Sequence, residues 1–400
     1  MFPHVRRLAL FPALAGCGRR RPLLPDLRDG RAVPRYRCVP PRGGRALPML
    51  AALLLAATAF SAVALAARRS REALSASKSA TASVTPLPLP GGAAGIGFDD
   101  LIFAAGLKKI VVPAGRSGNL DLIDPESHEI ITIAGFSAKE RFRKGQSEGI
   151  TSADEGRGLL FATDRTALKL DVVDPGSRVI VAQALLASSP DYVRFVESTG
   201  EVWVTEPDAE RIEIFTLADS GPPTPVHAGF IPVPGGPESL VIDGTRGRAY
   251  THVWKGLTLA IDTRTRTTKE KWPNGCKGSR GIALDRKRGF LFAGCSEGKA
   301  VVLGLDRGGA TLDSLRYGSG VDIIAYNPQL AHLYLPGASS ATMAILGVSA
   351  SGRLSLLGTA KTASGAHCVV ADDNHQAWVC DPAHGHLLLV YDIFPAWENQ

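Results

Sequence analysis

The chain has 400 residues, of which 45% are apolar, enough for a large core and well outside the composition of disordered chains. Its formal charge of +7 says little about partners: residues 1–66 hold eleven Arg, no Lys and two Asp, and the remainder carries 34 basic against 36 acidic residues. That balance argues against general nucleic-acid affinity, and the sequence contains no P-loop, no G-x-S-x-G and no dinucleotide fingerprint.

Residues 1–48 are rich in Arg, Pro and Gly without periodicity, and "MLAALLLAATAFSAVALAA" then runs from Met49 to Ala67. Arg45 supplies a charged flank, and Ala64, Leu65 and Ala66 form a small-x-small cleavage site. Residues 1–67 therefore read as a leader with a secretory signal peptide. The alternative is an uncleaved inner-membrane anchor over 46–67, a stretch just long enough to span. Either way the expected location is periplasmic or secreted, with membrane contact only through this segment. "LAGC" (14–17) has the form of a lipoprotein box, but its apolar stretch is short and interrupted by Pro. The Ser- and Ala-rich residues 68–82 read as a flexible tether.

From residue 83 onward the chain repeats itself. An apolar residue that opens a short strand falls at Leu101, Ile150, Val193, Leu240, Ile282, Ile324 and Val369, a period near ~45 residues. Each copy then places two apolar runs around a polar turn, as in "LVIDGTRGRAYTHV" (240–253), "IALDRKRGFLFAG" (282–294), "IAYNPQLAHLYLPG" (324–337) and "VVADDNHQAWVCD" (369–381). That pattern predicts a β-hairpin. A third run follows and ends near Asp, as in "NLDLIDPESHE" and "GLTLAIDTRTRTT", and a fourth often comes after it. Four antiparallel strands repeated seven times predict an all-β, seven-bladed β-propeller over residues 83–396. The last copy stops after its third strand, while "SVTPLPLPGG" (83–92) is left over before the first. The leftover segment is expected to close the ring as the outer strand of blade seven, an edge position where Pro is tolerated.

These units resemble the YVTN-repeat, or YncE-like, family of exported bacterial β-propellers, whose blades show an apolar-Asp-x-x-x-Gly-x-x-apolar hairpin and then a run ending in apolar-Asp. "VIDGTRGRAYTH", "ALDRKRGFLFAG", "DLIDPESHEIITI" and "DVVDPGSRVIVA" carry the resemblance, over about residues 84–393. The YVTN tetrapeptide itself is absent, with "AYTH", "LFAG", "LYLP" and "VWVT" in its place. The resemblance implies a binding or scaffolding role more than an enzyme.

In a propeller the first strand of each blade lines a central channel, so the residue two before each repeat anchor should recur around the channel mouth. Those residues are Asp99, Glu148, Asp191, Glu238, Arg280, Asp322 and His367, all chargeable and five of them carboxylates. They define the expected ligand-binding ring, for a small molecule or for a protein partner, on a monomer. Converging carboxylates, Glu148, Asp191 and Glu238 foremost, also suit a divalent cation such as Ca²⁺. On that reading the protein is a metal-dependent, lactonase-like hydrolase or lyase with His367 as general base. A third reading makes the propeller a protein-interaction platform with an incidental ring. Solvated charge at strand ends is the bland reading of the same seven residues.

Once Cys17 and Cys38 are assigned to the leader, Cys276, Cys295, Cys368 and Cys380 remain. An even number in an exported chain points to disulfides. Cys368 and Cys380 flank one hairpin symmetrically about Asn374, while Cys276 and Cys295 bracket the first hairpin of blade five, so two intra-blade pairs are expected. His384 and His386 in "DPAHGHLLL" have metal-like spacing but read better as a polar turn, and "RTRTTKEK" (264–271) reads as a solvated blade edge.

Overall fold

The computed structural model describes residues 80–397 other than 141, 143, 144 and 219. The leader and most of the tether lie outside the described residues. Among the described residues no helix is long and apolar enough to cross a membrane, and three short 3₁₀ turns are the only helical pieces.

Seven β-sheets follow one another along the chain, over residues 102–134, 150–185, 193–232, 241–273, 279–316, 325–361 and 369–391. Within each, consecutive strands pair antiparallel. The first strand of every sheet touches the first strand of the next, and the seventh touches the first, which closes the ring. The molecule is a seven-bladed β-propeller, as the repeat predicts.

The recurring Asp of the repeat has a local cause. At the end of the third strand, Asp124 Oδ1 accepts the N–H groups of Glu126 (3.0 Å) and Ser127 (2.8 Å), and Asp262 Oδ1 accepts those of Arg264 (3.1 Å) and Thr265 (2.9 Å). Such Asx turns replace the backbone partners lost where the strand stops. Asp243, Asn327 and Asp372 do the same in the first hairpin. The Gly four residues after that Asp, Gly247 or Gly289, has φ of 58° or 68°, a left-handed conformation that favours Gly.

Alternation along each strand feeds two cores. Val202 and Val204 pack toward blade two, against Phe161 and Val172, while Trp203 between them belongs to the core shared with blade four. In blade five, Phe292 packs with Leu333 and Leu335 of blade six, while Leu291 and Ala293 face Tyr250 and Trp272 of blade four. A blade thus buries each face only against a neighbour, so the ring is stable as a whole.

Closure uses both ends of the described chain. Val84–Pro88 pairs antiparallel with His386–Tyr391, with Thr85 opposite Leu389 and Leu87 opposite Leu387, and completes blade seven. The tether expected to run through residue 82 ends sooner. Ala80–Ala82 pairs parallel with the outer strand of blade six, Thr81 opposite Thr359, and gives that blade a fifth strand. Two short apolar Ala side chains and unsatisfied edge groups explain why a polar-looking segment takes strand form there. The other end folds back on the same blade. Phe394 and Trp397 occupy the space left by Gly358 and Gly347, and the buried Asp392 carboxylate accepts from Tyr334 (2.6 Å) and contacts His332 Nδ1 (2.8 Å).

Candidate functional site

The inner strands place the sequence-predicted ring by backbone bonds that run between blades. The N–H of Gly281 in blade five donates to the Asp322 carbonyl (2.9 Å), and the N–H of Ile323 in blade six donates to the His367 carbonyl (3.0 Å). The N–H of Asp100 likewise donates to the Thr151 carbonyl of blade two (3.1 Å). Three of the segments leading into first strands are therefore fixed to the neighbouring blade, whereas the N–H groups of Asp191 and Glu238 donate within their own blades, to the Thr205 and His252 carbonyls.

Their charges are largely spoken for. Asp99 and Asp191 share Arg165, whose Nη2 lies 3.0 Å from Asp99 Oδ2 and 2.7 Å from Asp191 Oδ1. Arg165 is held in turn by the carbonyls of Pro190 (2.7 Å) and Gln146 (2.8 Å). Glu238 accepts from Arg280 at 2.9 Å, and the Arg280 guanidinium lies 3.9 Å from the Trp254 ring, a cation–π stack. Glu148 accepts from Lys139 at 2.9 Å through Oε1, while its Oε2 is buried without a partner among the described residues. Gln146, from the long loop between blades one and two, donates to Asp322 Oδ2 across the mouth at 3.1 Å.

Burial and mutual repulsion raise three of these acids. Burial raises the Asp99 carboxyl well above its usual range, Asp191 and Asp322 push the same way, and Arg165 opposes them. Burial also lifts Asp191 to about 6, against the pull of Arg165 and with the help of Asp322 and Asp100. Glu238 is lifted to about 7, mainly by burial, with Arg280 opposing and Asp191 and Asp322 adding.

The expected cation trio is not drawn together. Among the described residues Glu148, Asp191 and Glu238 each face a different cation, Lys139, Arg165 and Arg280, so this donor set does not fit a Ca²⁺ ion. His367 is equally committed: Nδ1 lies 2.7 Å from the Gly365 carbonyl and Nε2 3.0 Å from the Phe98 carbonyl. A carbonyl accepts and does not donate, so neither nitrogen aims a lone pair at substrate, and the general-base role has no geometric support.

A cavity of about 480 Å³ opens at this mouth. Arg280, Asp322 and His367 of the ring line it, together with Gln146, Ser296 and the apolar side chains of Phe142, Val321, Ala338 and Pro382. Deeper in the channel a smaller space of about 190 Å³ has apolar walls of Ile282, Ile323, Ile324 and Val369. It is crossed by the Asp100–Arg194 pair, with contacts at 2.5 and 3.0 Å. The mouth is thus a pocket with a charged floor.

Sequence reasoning missed Arg165, Trp254 and Gln146. The first two lie just after the second strands of blades two and four, Leu159–Asp164 and Arg248–Val253. A register count on that loop, like the one made on the first strand, finds them. Gln146 sits in a long loop with no periodic signal. The weaker motifs stayed local. His384 Nδ1 contacts the Asp381 carboxylate in its own turn at 2.8 Å, and residues 264–271 form an exposed turn and outer strand. Both cysteine pairs are at disulfide geometry, with Cα–Cα distances of 5.2 Å for Cys276–Cys295 and 5.5 Å for Cys368–Cys380.

No family model and no curated protein matches the chain. Solved structures do. A chain of a crystal structure titled "Mitotic Checkpoint Complex" aligns with a TM-score of 0.62 at 11% identity, over 78% of this chain and 91% of that one. A chain of Kuenenia stuttgartiensis hydrazine synthase aligns at 0.60 and 10% identity, over 80% and 99%. The Cps50 (Swd1) β-propeller domain of Myceliophteria thermophila aligns at 0.61 and 10% identity, over 77% and 99%. At such identities the likeness establishes the β-propeller fold alone.

Proposed function

We propose that the protein is an exported, non-catalytic binding propeller of the YVTN-repeat, YncE-like kind, which takes its ligand in the mouth cavity. The ligand, free or displayed by a protein partner, carries a positive group beside an apolar part. One observation carries this reading: a cavity of about 480 Å³ pairs apolar Phe142, Val321 and Pro382 with the Asp322 carboxylate, on an acidic rim. Among the described residues, four of the five ring carboxylates pair with three cations, Arg165, Arg280 and Lys139, while Asp322 accepts from the uncharged Gln146. The leader over 1–67, the tether after it and a monomeric propeller to residue 396 complete the proposal. The two cysteine pairs support an oxidising compartment.

The test is the melting temperature of the oxidised full chain, first with chelator, then with Ca²⁺, Mg²⁺ or Mn²⁺, and separately with spermidine and choline as organic cations. A ligand at a hundred times its Kd stabilises the folded state by about 2.7 kcal/mol. Saturable stabilisation by an organic cation, lost in Asp322→Asn, supports the proposal. A Ca²⁺ shift lost in Glu148→Gln and Glu238→Gln replaces it with the metal-dependent reading. No shift with any probe leaves the ring as solvated charge.

A further inference from the structure

His367, Cys368 and Cys380 form a cluster that the mouth proposal does not use. One donor atom from each lies within 4.8 Å of the other two, and Cys380 Sγ is 3.9 Å from His367 Nδ1. Both cysteines are fully buried, whereas His367 is half-buried and lines the mouth cavity. The Phe98 carbonyl lies 3.0 Å from Nε2, on the side of the ring away from the cysteines, where it can accept the Nε2 proton when Nδ1 is the ligand. Imidazoles that bind metals are oriented in this way, the far N–H held by a backbone carbonyl and the near lone pair turned to the ion. In the disulfide state the Gly365 carbonyl occupies the Nδ1 side at 2.7 Å. The Gly365 N–H donates to the Ala338 carbonyl at 2.9 Å, so metal binding through Nδ1 requires the Gly365 carbonyl to turn away from the ring while that bond is kept or broken. The other pair is different: among the described residues no His, Asp or Glu completes such a cluster around Cys276 and Cys295.

We propose that reduction of the Cys368–Cys380 disulfide converts this cluster into a Cys₂His site for a borderline cation of the Zn²⁺ class, with its fourth position toward the mouth cavity. A dithiol donor breaks the S–S bond by exchange and leaves as its own disulfide, and the two electrons and two protons end on Cys368 and Cys380. Binding of the cation then expels both protons and joins it to two thiolates and the neutral imidazole. Two thiolates cancel the double charge of the ion, which is what a buried site requires. Sulfur and imidazole donors select Zn²⁺ over Ca²⁺ or Mg²⁺. The disulfide and the metal site are alternative states of the same three side chains, and the choice between them is redox-controlled.

The test uses the full chain with Cys17→Ser, Cys38→Ser, Cys276→Ser and Cys295→Ser, which leaves Cys368 and Cys380 as its two thiols, reduced by a water-soluble phosphine, which takes oxygen from water and leaves as the phosphine oxide. After anaerobic desalting it is titrated with Co²⁺. The expected result is one equivalent bound, with a thiolate-to-cobalt charge-transfer band and tetrahedral d–d bands that Zn²⁺ abolishes, and neither in the oxidised chain. Adding His367→Ala is expected to weaken Co²⁺ binding at least ~10-fold while the charge-transfer band persists. Absence of the band in the reduced chain, or its survival in Cys368→Ser, overturns the proposal. If reduction unfolds the chain, far-ultraviolet circular dichroism decides. Recovery of the oxidised spectrum on adding one equivalent of Zn²⁺ supports the site, and failure to recover overturns it.

Discussion

Arg165 donates to the Asp191 carboxylate at 2.7 Å from a loop that belongs to the neighbouring blade, and the same nitrogen reaches Asp99 at 3.0 Å. One guanidinium thus ties blades one, two and three together at the channel mouth, and both acids depend on it.

Arg165→Met is therefore expected to leave two buried carboxylates without their cation, at a cost of about 3–5 kcal/mol near neutral pH. Arg165→Lys should rescue only part of this, because a single ammonium does not reproduce the contacts to Asp99, Asp191 and two carbonyls. The loss should shrink in acid, where the stranded carboxyls take up protons. Urea melts of the three proteins at pH 5 and pH 8 check this; an equal loss at both pH values would show that Arg165 acts through packing alone.

Glu238 sets a second pH dependence. Its carboxyl is lifted to about 7, so the folded chain binds a proton that the unfolded chain releases near the ordinary Glu value of ~4.3. Between those two values the folded state holds more protons, so the stability from this group falls as pH rises through that window and is flat outside it. Glu238→Gln should match the parent at pH 4 and gain on it by a few degrees of Tm at pH 8. A gap that stays constant from pH 4 to pH 8 would contradict the assignment.

Ring closure by Val84–Pro88 predicts that a chain beginning at Gly91 exposes the edge of His386–Tyr391 and loses cooperativity in its melt. A synthetic peptide of residues 80–92 added in trans should restore the melt. The same peptide with Leu87→Asp should not, since Leu87 packs against the core around Leu387. Calorimetry reads all three.

Removing Cys276–Cys295 as a double Ser substitution frees a loop of 19 residues in the unfolded chain. The chain-entropy relation puts that at about 3 kcal/mol. Denaturant melts of the oxidised proteins measure it, and no change would mean that the two thiols are not joined in the folded protein.

Much of this molecule is legible along the chain. Spacing alone yields seven blades, the strand that closes the last one and the cysteine pairs, because each follows from a local rule repeated in register: hydrophobic alternation, an Asx turn, a left-handed Gly. Residues 80–82 escaped that reading. A three-residue strand has no period, and only the open edge of blade six makes it one. The state of the ring escaped it too. Five carboxylates at equivalent positions look like a cation cage, yet Arg165 and Arg280 pair with three of them and Gln146 and Lys139 engage the other two. Those partners come from loops of differing length, and Asp99 and Arg165, 66 residues apart, meet only when the ring is closed. Strand periodicity is a property of neighbours along the chain. Charge compensation is a property of neighbours in space, and only the folded ring decides which groups those are.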